Sequence, residues 1–327
     1  MMSGFSLCKD NRLHSKTIRI ENLSVGFFSG HQKITALDAV SVEFKENQIT
    51  GVIGETGSGK SLLGLSLVQL LPGNADIKGH IHYQGQDILS FTGSRLQSLR
   101  GDEIALIPQN PGTSLNPIMS IKKQICEAMD RQGKMGKSRK DEYINELLQT
   151  LRLNQSAIHG ATYPFELSGG MKQRVLTAIG ICRRPAWILA DEPTSGLDAC
   201  LRSEICTLFK HLHSTTGSGM ILITHDLFLA KNLCHDIVVM YCGKVVETAP
   251  VGVFYSDPAH PYSKALLRSL PQGGFTPIPG ENPSIANPPA GCRFHPRCCH
   301  KQAICRVQDP PSFSTGVGRK ARCHLYA

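Results

Sequence analysis

The 327 residues carry 35 Lys and Arg against 26 Asp and Glu, a net charge of +9, with 41% hydrophobic residues and 12 cysteines. No apolar run approaches the ~18–20 residues that a membrane-spanning helix needs. The start of the chain is charged (Lys9, Asp10, Arg12) and lacks the apolar core of a secretory signal. Composition thus argues against an integral span or an exported chain, and leaves membrane attachment to protein partners or surface charge.

The first 16 residues read as a loose lead-in. Residues 17–25 alternate apolar and polar at the period of a strand, through Ile18 and Ile20, and Val40, Val42 and Phe44 repeat the pattern. A short β-branched run at 49–53 ends in glycine, and 61–71 reads as a helix. Between them, Gly54-Glu55-Thr56-Gly57-Ser58-Gly59-Lys60-Ser61 fits G-x-x-x-x-G-K-[ST]. Glycines let backbone N–H groups turn inward around phosphate oxygens, and the following helix N-terminus adds favourable partial charge. Lys60 is expected on the β- and γ-phosphates of a nucleotide and the Ser61 hydroxyl on Mg²⁺.

Residues 117–160 change to helical spacing without strand signals, consistent with a helical insertion. Two buried strands are expected at 187–190 and 220–224, each after a helical stretch, which implies an α/β core with a largely parallel sheet. The first ends in Asp191-Glu192, a carboxylate pair at the C-terminal end of a buried strand, beside the phosphate loop. Asp191 is expected to bind Mg²⁺ through water and Glu192 to polarise the attacking water. One more helix is expected at 262–270. Past Pro271 the composition turns to Pro and Gly, as in a linker, and then to a small module holding five of the cysteines between Cys292 and Cys323. From Pro258 onward nine basic residues face only Glu281 and Asp309, so this tail holds +7 of the +9. Such a tail suits an anionic lipid, nucleic acid or anionic cluster, or is a plain solvated surface.

These motifs make a P-loop NTPase; a further one selects the class. Leu167-Ser168-Gly169-Gly170-Met171-Lys172-Gln173-Arg174, ending 17 residues before Asp191, resembles the signature of the ABC ATPase superfamily. As a Ser and two glycines at a helix start it is a second anion site. The resemblance implies that Ser168, Gly169, Gly170 and Gln173 serve in trans, on ATP held by another subunit's cradle. It also assigns Gln109 to the Q-loop as a Mg²⁺ ligand, Asp198 to the D-loop and His225 to the switch histidine on the γ-phosphate. Phe27, with Phe28 adjacent, aligns with the aromatic that stacks on adenine. Gly54, Glu55, Thr56, Gly57, Ser58, Gly59, Lys60, Ser61, Leu62, Gln109 and Asp191 make up the expected nucleotide site. Glu192, His225, Gln109 and Lys60 are the expected catalytic groups.

Ser114-Leu115-Asn116-Pro117, Pro164-Phe165-Glu166 and His260-Pro261-Tyr262, with Ala265-Leu266-Leu267, look like the dipeptide/oligopeptide/nickel importer ATPases. The chain departs from that group at Ser195-Gly196, where Thr-Ala is frequent, and at Thr56, where Ser is frequent; neither change removes a catalytic group. The Cys292-x5-Cys298-x6-Cys305-x17-Cys323 spacing resembles that group's C-terminal cysteine module, in which four thiolates hold a [4Fe–4S] cluster in some members. Basic neighbours Arg293, Arg297 and Arg322 would offset the charge of a cluster. Zinc and plain thiols stay open, with Cys299, His300 and His324 as spare donors. Nothing in the sequence ties the module to ATP.

The expectation is an α/β P-loop NTPase of ABC type: a mixed sheet, a helical subdomain at about 110–185 within an ATPase domain at 17–257, and a cysteine-bearing extension at 258–327. The resemblance implies ATP, Mg²⁺ and a possible [4Fe–4S] cluster, and import of peptides or nickel and metal chelates from the cytoplasmic face of the inner membrane, with the chain peripheral there. The implied partners are two transmembrane permease subunits, a related second ATPase subunit and, indirectly, an extracytoplasmic binding protein, with no nucleic acid. A soluble ABC ATPase working on DNA or ribosomes is the rival reading, disfavoured by the single cradle and the lack of a long coiled-coil insertion. An iron–sulfur redox sensor with a vestigial ATPase is disfavoured by the intact Lys60, Asp191, Glu192 and His225.

Overall fold

The computed structural model describes residues 16–30, 32–129, 136–153 and 162–327. The lead-in with Cys8, and the parts of the helical insertion at 130–135 and 154–161, lie outside the described residues.

Strands β1 (Ile18–Ser29) and β2 (Gln32–Phe44) form an antiparallel pair, with Ile18 opposite Phe44. β3 (Ile49–Ile53) is buried at every position and leads through the glycine loop into α1 (Lys60–Leu67). β4 (Ala75–Tyr83) and the two-residue β5 (Gln86–Asp87) complete a four-stranded antiparallel sheet in the order β2-β1-β4-β5. After α2 (Gly93–Ser98), β6 (Ile104–Ile107) and the short α3 (Pro111–Ser114), the chain enters a helical arm. The arm comprises α4 (Ile121–Met129), α5 (Lys137–Thr150) and α6 (Gly169–Ile181). Ile121, Ile125 and Met129 lie on one stripe of α4 at four-residue spacing and pack with Ile144, Leu148 and Val175.

The chain returns through β7 (Trp187–Asp191), α7 (Ala199–Thr216), β8 (Gly219–Thr224), α8 (Leu227–Leu233), β9 (Asp236–Tyr241) and β10 (Lys244–Pro250). The helices α9 (Val251–Ser256) and α10 (Pro261–Arg268) precede the hairpin β11 (Phe313–Gly316) and β12 (Arg319–Ala321). The central sheet runs β11-β12-β10-β9-β3-β8-β7-β6, parallel from β9 to β6 and antiparallel at the other end.

Period-two alternation divides the core. Ile188, Leu222, Ile237 and Val239 point to the side that carries the helical arm, α7 and α8. Leu189, Ile221, Ile223 and Val238 point to α1 and the antiparallel sheet. The fold therefore has a central sheet covered on both faces, as largely parallel sheets require.

The expected elements at 49–53, 187–190, 220–224 and 262–270 appear within one or two residues, while the helix expected to reach 71 stops at Leu67. The C-terminal segment is less of an appendix than its Pro and Gly content suggested. β12 pairs with β10, Glu247 opposite Ala321, so the last strands of the chain extend the central sheet.

Candidate nucleotide-binding site

The parallel strands end together. In register, Ile53 of β3 lies beside Thr224 of β8, Ile223 beside Asp191 of β7, and Ala190 beside Ile107 of β6. The residues just past these ends (the glycine loop, Glu192, His225 and Gln109) thus crowd one edge.

The loop can exist only with glycine at its first position. Gly54 has φ +151, and a Cβ there would lie 2.1 Å from the Met240 carbonyl oxygen. Lys60 is buried, and its Nζ donates to the carbonyls of Gly54 (2.8 Å) and Glu55 (2.9 Å). Burial lowers its pKa, opposed by the carboxylates of Glu192, Asp191 and Glu55. Ser58 Oγ is buried without a protein partner, in the loop where an anion's oxygens would arrive.

Ser61 Oγ donates to Asp191 Oδ1 at 3.2 Å. Burial raises the pKa of Asp191, with Ser61 opposing. A hydroxyl and a buried carboxylate side by side form the hard oxygen donor set that suits Mg²⁺. Gln109 is exposed at the adjoining strand end.

Glu192 is buried in a left-handed conformation, φ +47, unusual for a non-glycine residue. Its Oε2 lies 2.9 Å from His225 Nδ1 and accepts from Thr224 Oγ1 and the His225 N–H, each at 3.4 Å. His225 itself is 61% exposed on its side chain and faces the open edge. A carboxylate fixed from behind, beside an accessible imidazole, can orient a water and place a donor on its target.

Ser168 N-caps α6, its Oγ accepting from the Met171 N–H at 3.3 Å, and Ser168 and Gly169 are exposed. Of the other two residues expected to serve in trans, Gly170 is buried at the start of α6. Gln173 is 3% exposed, with Nε2 unpartnered on the core side of α6, so its assignment to a surface meeting another subunit is corrected to an interior position. Arg174 is committed to Glu204 of α7 and the Arg152 carbonyl. Asp198 is exposed but spends Oδ1 on capping α7 through the Leu201 N–H. Phe27 is half-buried against the antiparallel-sheet core, whereas Phe28 is 56% exposed; neither is brought into contact with the loop by a described interaction.

Sequence reasoning missed a set of contacts from the C-terminal segment. Arg297 makes a two-pronged ion pair with Glu55 (2.7 and 3.1 Å), the Tyr262 hydroxyl accepts from the Glu55 N–H (2.8 Å), and Asn282 Nδ2 donates to the Thr56 carbonyl (3.2 Å). Arg293 bridges to Asp38 (2.6 Å) and donates to the Cys242 carbonyl. The sequence shows no tie between the module and ATP, yet in the structure the extension's side chains contact the glycine loop directly. Arg297 had been visible only as a counter-charge for a cluster.

The cysteines of the module lie near one another. Cys292 is pushed up to about 12, by burial first and then by Cys305, Cys323 and Cys298; Cys298 and Cys323 are raised as well, burial again leading. Yet among the described residues no group of three or more His, Cys, Asp or Glu stands close enough to hold a metal ion.

Residues 37–195 match the family model described as ABC transporter, and residues 246–305 match the oligopeptide/dipeptide transporter, C-terminal region. The dipeptide transport ATP-binding protein DppD of Caldanaerobacter subterraneus subsp. tengcongensis is 36% identical over 316 residues, covering 94% of this chain and 97% of its own length. The oligopeptide transport ATP-binding protein AppD of Bacillus subtilis is 36% identical over 319 residues, covering 95% and 97%. Among solved structures, a dimeric bacterial ABC transporter cassette superposes with a TM-score of 0.65 at 25% identity, covering 72% of this chain and 98% of its own. A post-hydrolysis cassette dimer bound to ADP and Pi gives 0.65 at 24% identity, over the same shares, and supports the fold alone. With cradle, strand-end carboxylates and signature helix in the expected places, and that identity along nearly the whole length, the chain belongs to the ATP-binding subunits of ABC transporters, in the group carrying the oligopeptide/dipeptide transporter C-terminal region.

Proposed function

We propose that this chain hydrolyses ATP to power peptide import through a membrane ABC transporter. The observation that carries the reading is the convergence of Lys60, Ser61, Asp191, Glu192 and His225 at one strand-end edge. Mg²⁺ would be held through Ser61 and Asp191, with Gln109 at the adjoining strand end, and would supply charge neutralisation on the phosphates. Lys60 binds the β- and γ-phosphates, Glu192 orients the attacking water, and His225 neutralises the charge that develops on the γ-phosphate during hydrolysis. The exposed Ser168 and Gly169 at the α6 N-terminus give a second chain's nucleotide an anion site, so the working unit is a pair of ATPase subunits. That pair is a related, non-identical chain in our reading.

No helix among the described residues is long and apolar enough to cross a membrane, so the work reaches the bilayer through permease subunits, two of them by family precedent. The names of the relatives point to peptide cargo, delivered by an extracytoplasmic binding protein; nickel has no support among them. The exposed cradle would lie on the side of the membrane where ATP is found. Division at about residue 257, between ATPase domain and extension, is supported by the boundary of the second family match near 246.

The test is reconstitution with the neighbouring-gene membrane and ATPase subunits in liposomes. ATP-dependent uptake of a labelled peptide supports the reading; ATP hydrolysis with no membrane subunit bound, and stimulation by DNA or ribosomes, would replace it. A [4Fe–4S] cluster on Cys292, Cys298, Cys305 and Cys323 is a finer reading, supported by the proximity of the four thiols. Anaerobic purification returning on the order of four irons and four labile sulfides per chain would establish it, and a metal-free chain would leave protonated thiols.

A further inference from the structure

We infer that Arg297, in the C-terminal cysteine module, is a positioning residue for the nucleotide. It acts through Glu55, holding the phosphate loop in its binding shape and cancelling a carboxylate that would otherwise repel the triphosphate. The inference rests on the ATP-binding reading of the loop and goes beyond it by making the extension part of the site.

Glu55 is engaged at every polar atom. Its carboxylate takes both prongs of Arg297, its N–H goes to the fully buried Tyr262 hydroxyl, and its carbonyl accepts from Lys60 Nζ. Two of those three partners come from the extension, and a third extension residue, Asn282, holds the next carbonyl in the loop. Arg297 is in turn fixed: it is 7% exposed, its Nε donates to the Pro279 carbonyl at 2.9 Å, and its guanidinium reaches the Tyr241 hydroxyl at 3.3 Å.

Two physical effects follow. The loop contains three glycines, each at positive φ, so its native shape is entropically costly and gains from external fixing. Glu55 also places a negative charge in a loop built for a polyanion, close enough to act on Lys60. A two-pronged guanidinium is the strongest available way to neutralise it.

The experiment measures MgATP affinity by calorimetry, and KM and kcat of hydrolysis, for the full chain with its membrane subunits. Arg297→Met is expected to raise Kd and KM for MgATP about tenfold with kcat within about twofold, because the loss is in binding and not in chemistry. Adding Glu55→Gln to Arg297→Met removes the stranded carboxylate and is expected to recover about threefold or more of that loss. A purely structural Arg297 would lower the unfolding temperature and show no such recovery. Unchanged Kd in Arg297→Met, or a loss that Glu55→Gln does not relieve, overturns the inference. Should Arg297→Met not fold, Arg297→Lys keeps the charge but loses the fork and is expected to raise KM about threefold; an unchanged KM there overturns it equally. Failure of the unaltered chain to bind MgATP would instead overturn the proposed function.

Discussion

His225 Nδ1 stands 2.9 Å from Glu192 Oε2, and the two residues come from the ends of different strands, β8 and β7. The contact is supported by the left-handed backbone of Glu192 and by the Thr224 hydroxyl behind it. Glu192 is thus aimed, and the imidazole is the part of the pair that faces outward. His225→Ala should leave MgATP binding within a few-fold and lower kcat by about 100-fold to 1000-fold, the usual cost of losing one preorganised group at a developing charge. Steady-state hydrolysis with a parallel binding titration checks it; a proportionate loss of binding would place His225 in ground-state recognition instead.

The glycine loop gives a stability contrast. Gly54→Ala forces a Cβ to within 2.1 Å of the Met240 carbonyl at φ +151, and should cost more than about 2 kcal/mol together with MgATP binding. Gly57→Ala, at φ +80 with nothing within 4 Å of the new Cβ, should cost about 1–2 kcal/mol from backbone strain alone. Chemical unfolding of both variants compares them, and equal losses would show that close approach to β9 is not what requires Gly54.

How much of this was legible in the sequence depended on range. The glycine loop, Asp191-Glu192 and His225 are short patterns on buried strands, and each sits where its local pattern implied. Its place in the signature motif points Gln173 toward a second subunit, whereas its face of α6 turns into the core. β4 was overlooked although Ala75, Ile77, Ile81 and Tyr83 alternate with polar residues, because Gly79 breaks the apolar series at its middle. The Arg297–Glu55 pair joins residues 242 apart, and no local periodicity reports such a contact. Nor could periodicity show that β12 would add to the central sheet, since β11 and β12 are short and polar.

His260 gives a pH dependence with a fixed sign. It is buried at the start of α10, its Nδ1 accepts from the Tyr262 N–H, and burial lowers its pKa to about 3. The unfolded chain takes up this proton near 6.5 and the folded chain does not. Stability is therefore lost as pH falls below about 6.5, by about 2 kcal/mol at pH 5. The carboxylates held low, Asp38, Asp76 and Asp87, titrate below that window and do not mask the effect. His260→Asn keeps a cap acceptor without the titration, so its urea midpoint should change less between pH 7 and pH 5; an identical slope in both proteins would assign the acid sensitivity elsewhere.

The most direct test of the whole account is single-turnover phosphate release by Glu192→Gln in the assembled transporter, with MgATP affinity measured on the same sample. Gln preserves the shape and the contacts from Thr224 and His225 but removes the negative charge that polarises water. Retained binding with release slowed by about 1000-fold or more is the predicted result. Phosphate release at a near-normal rate would take the catalytic role from Glu192 and contradict the site as drawn.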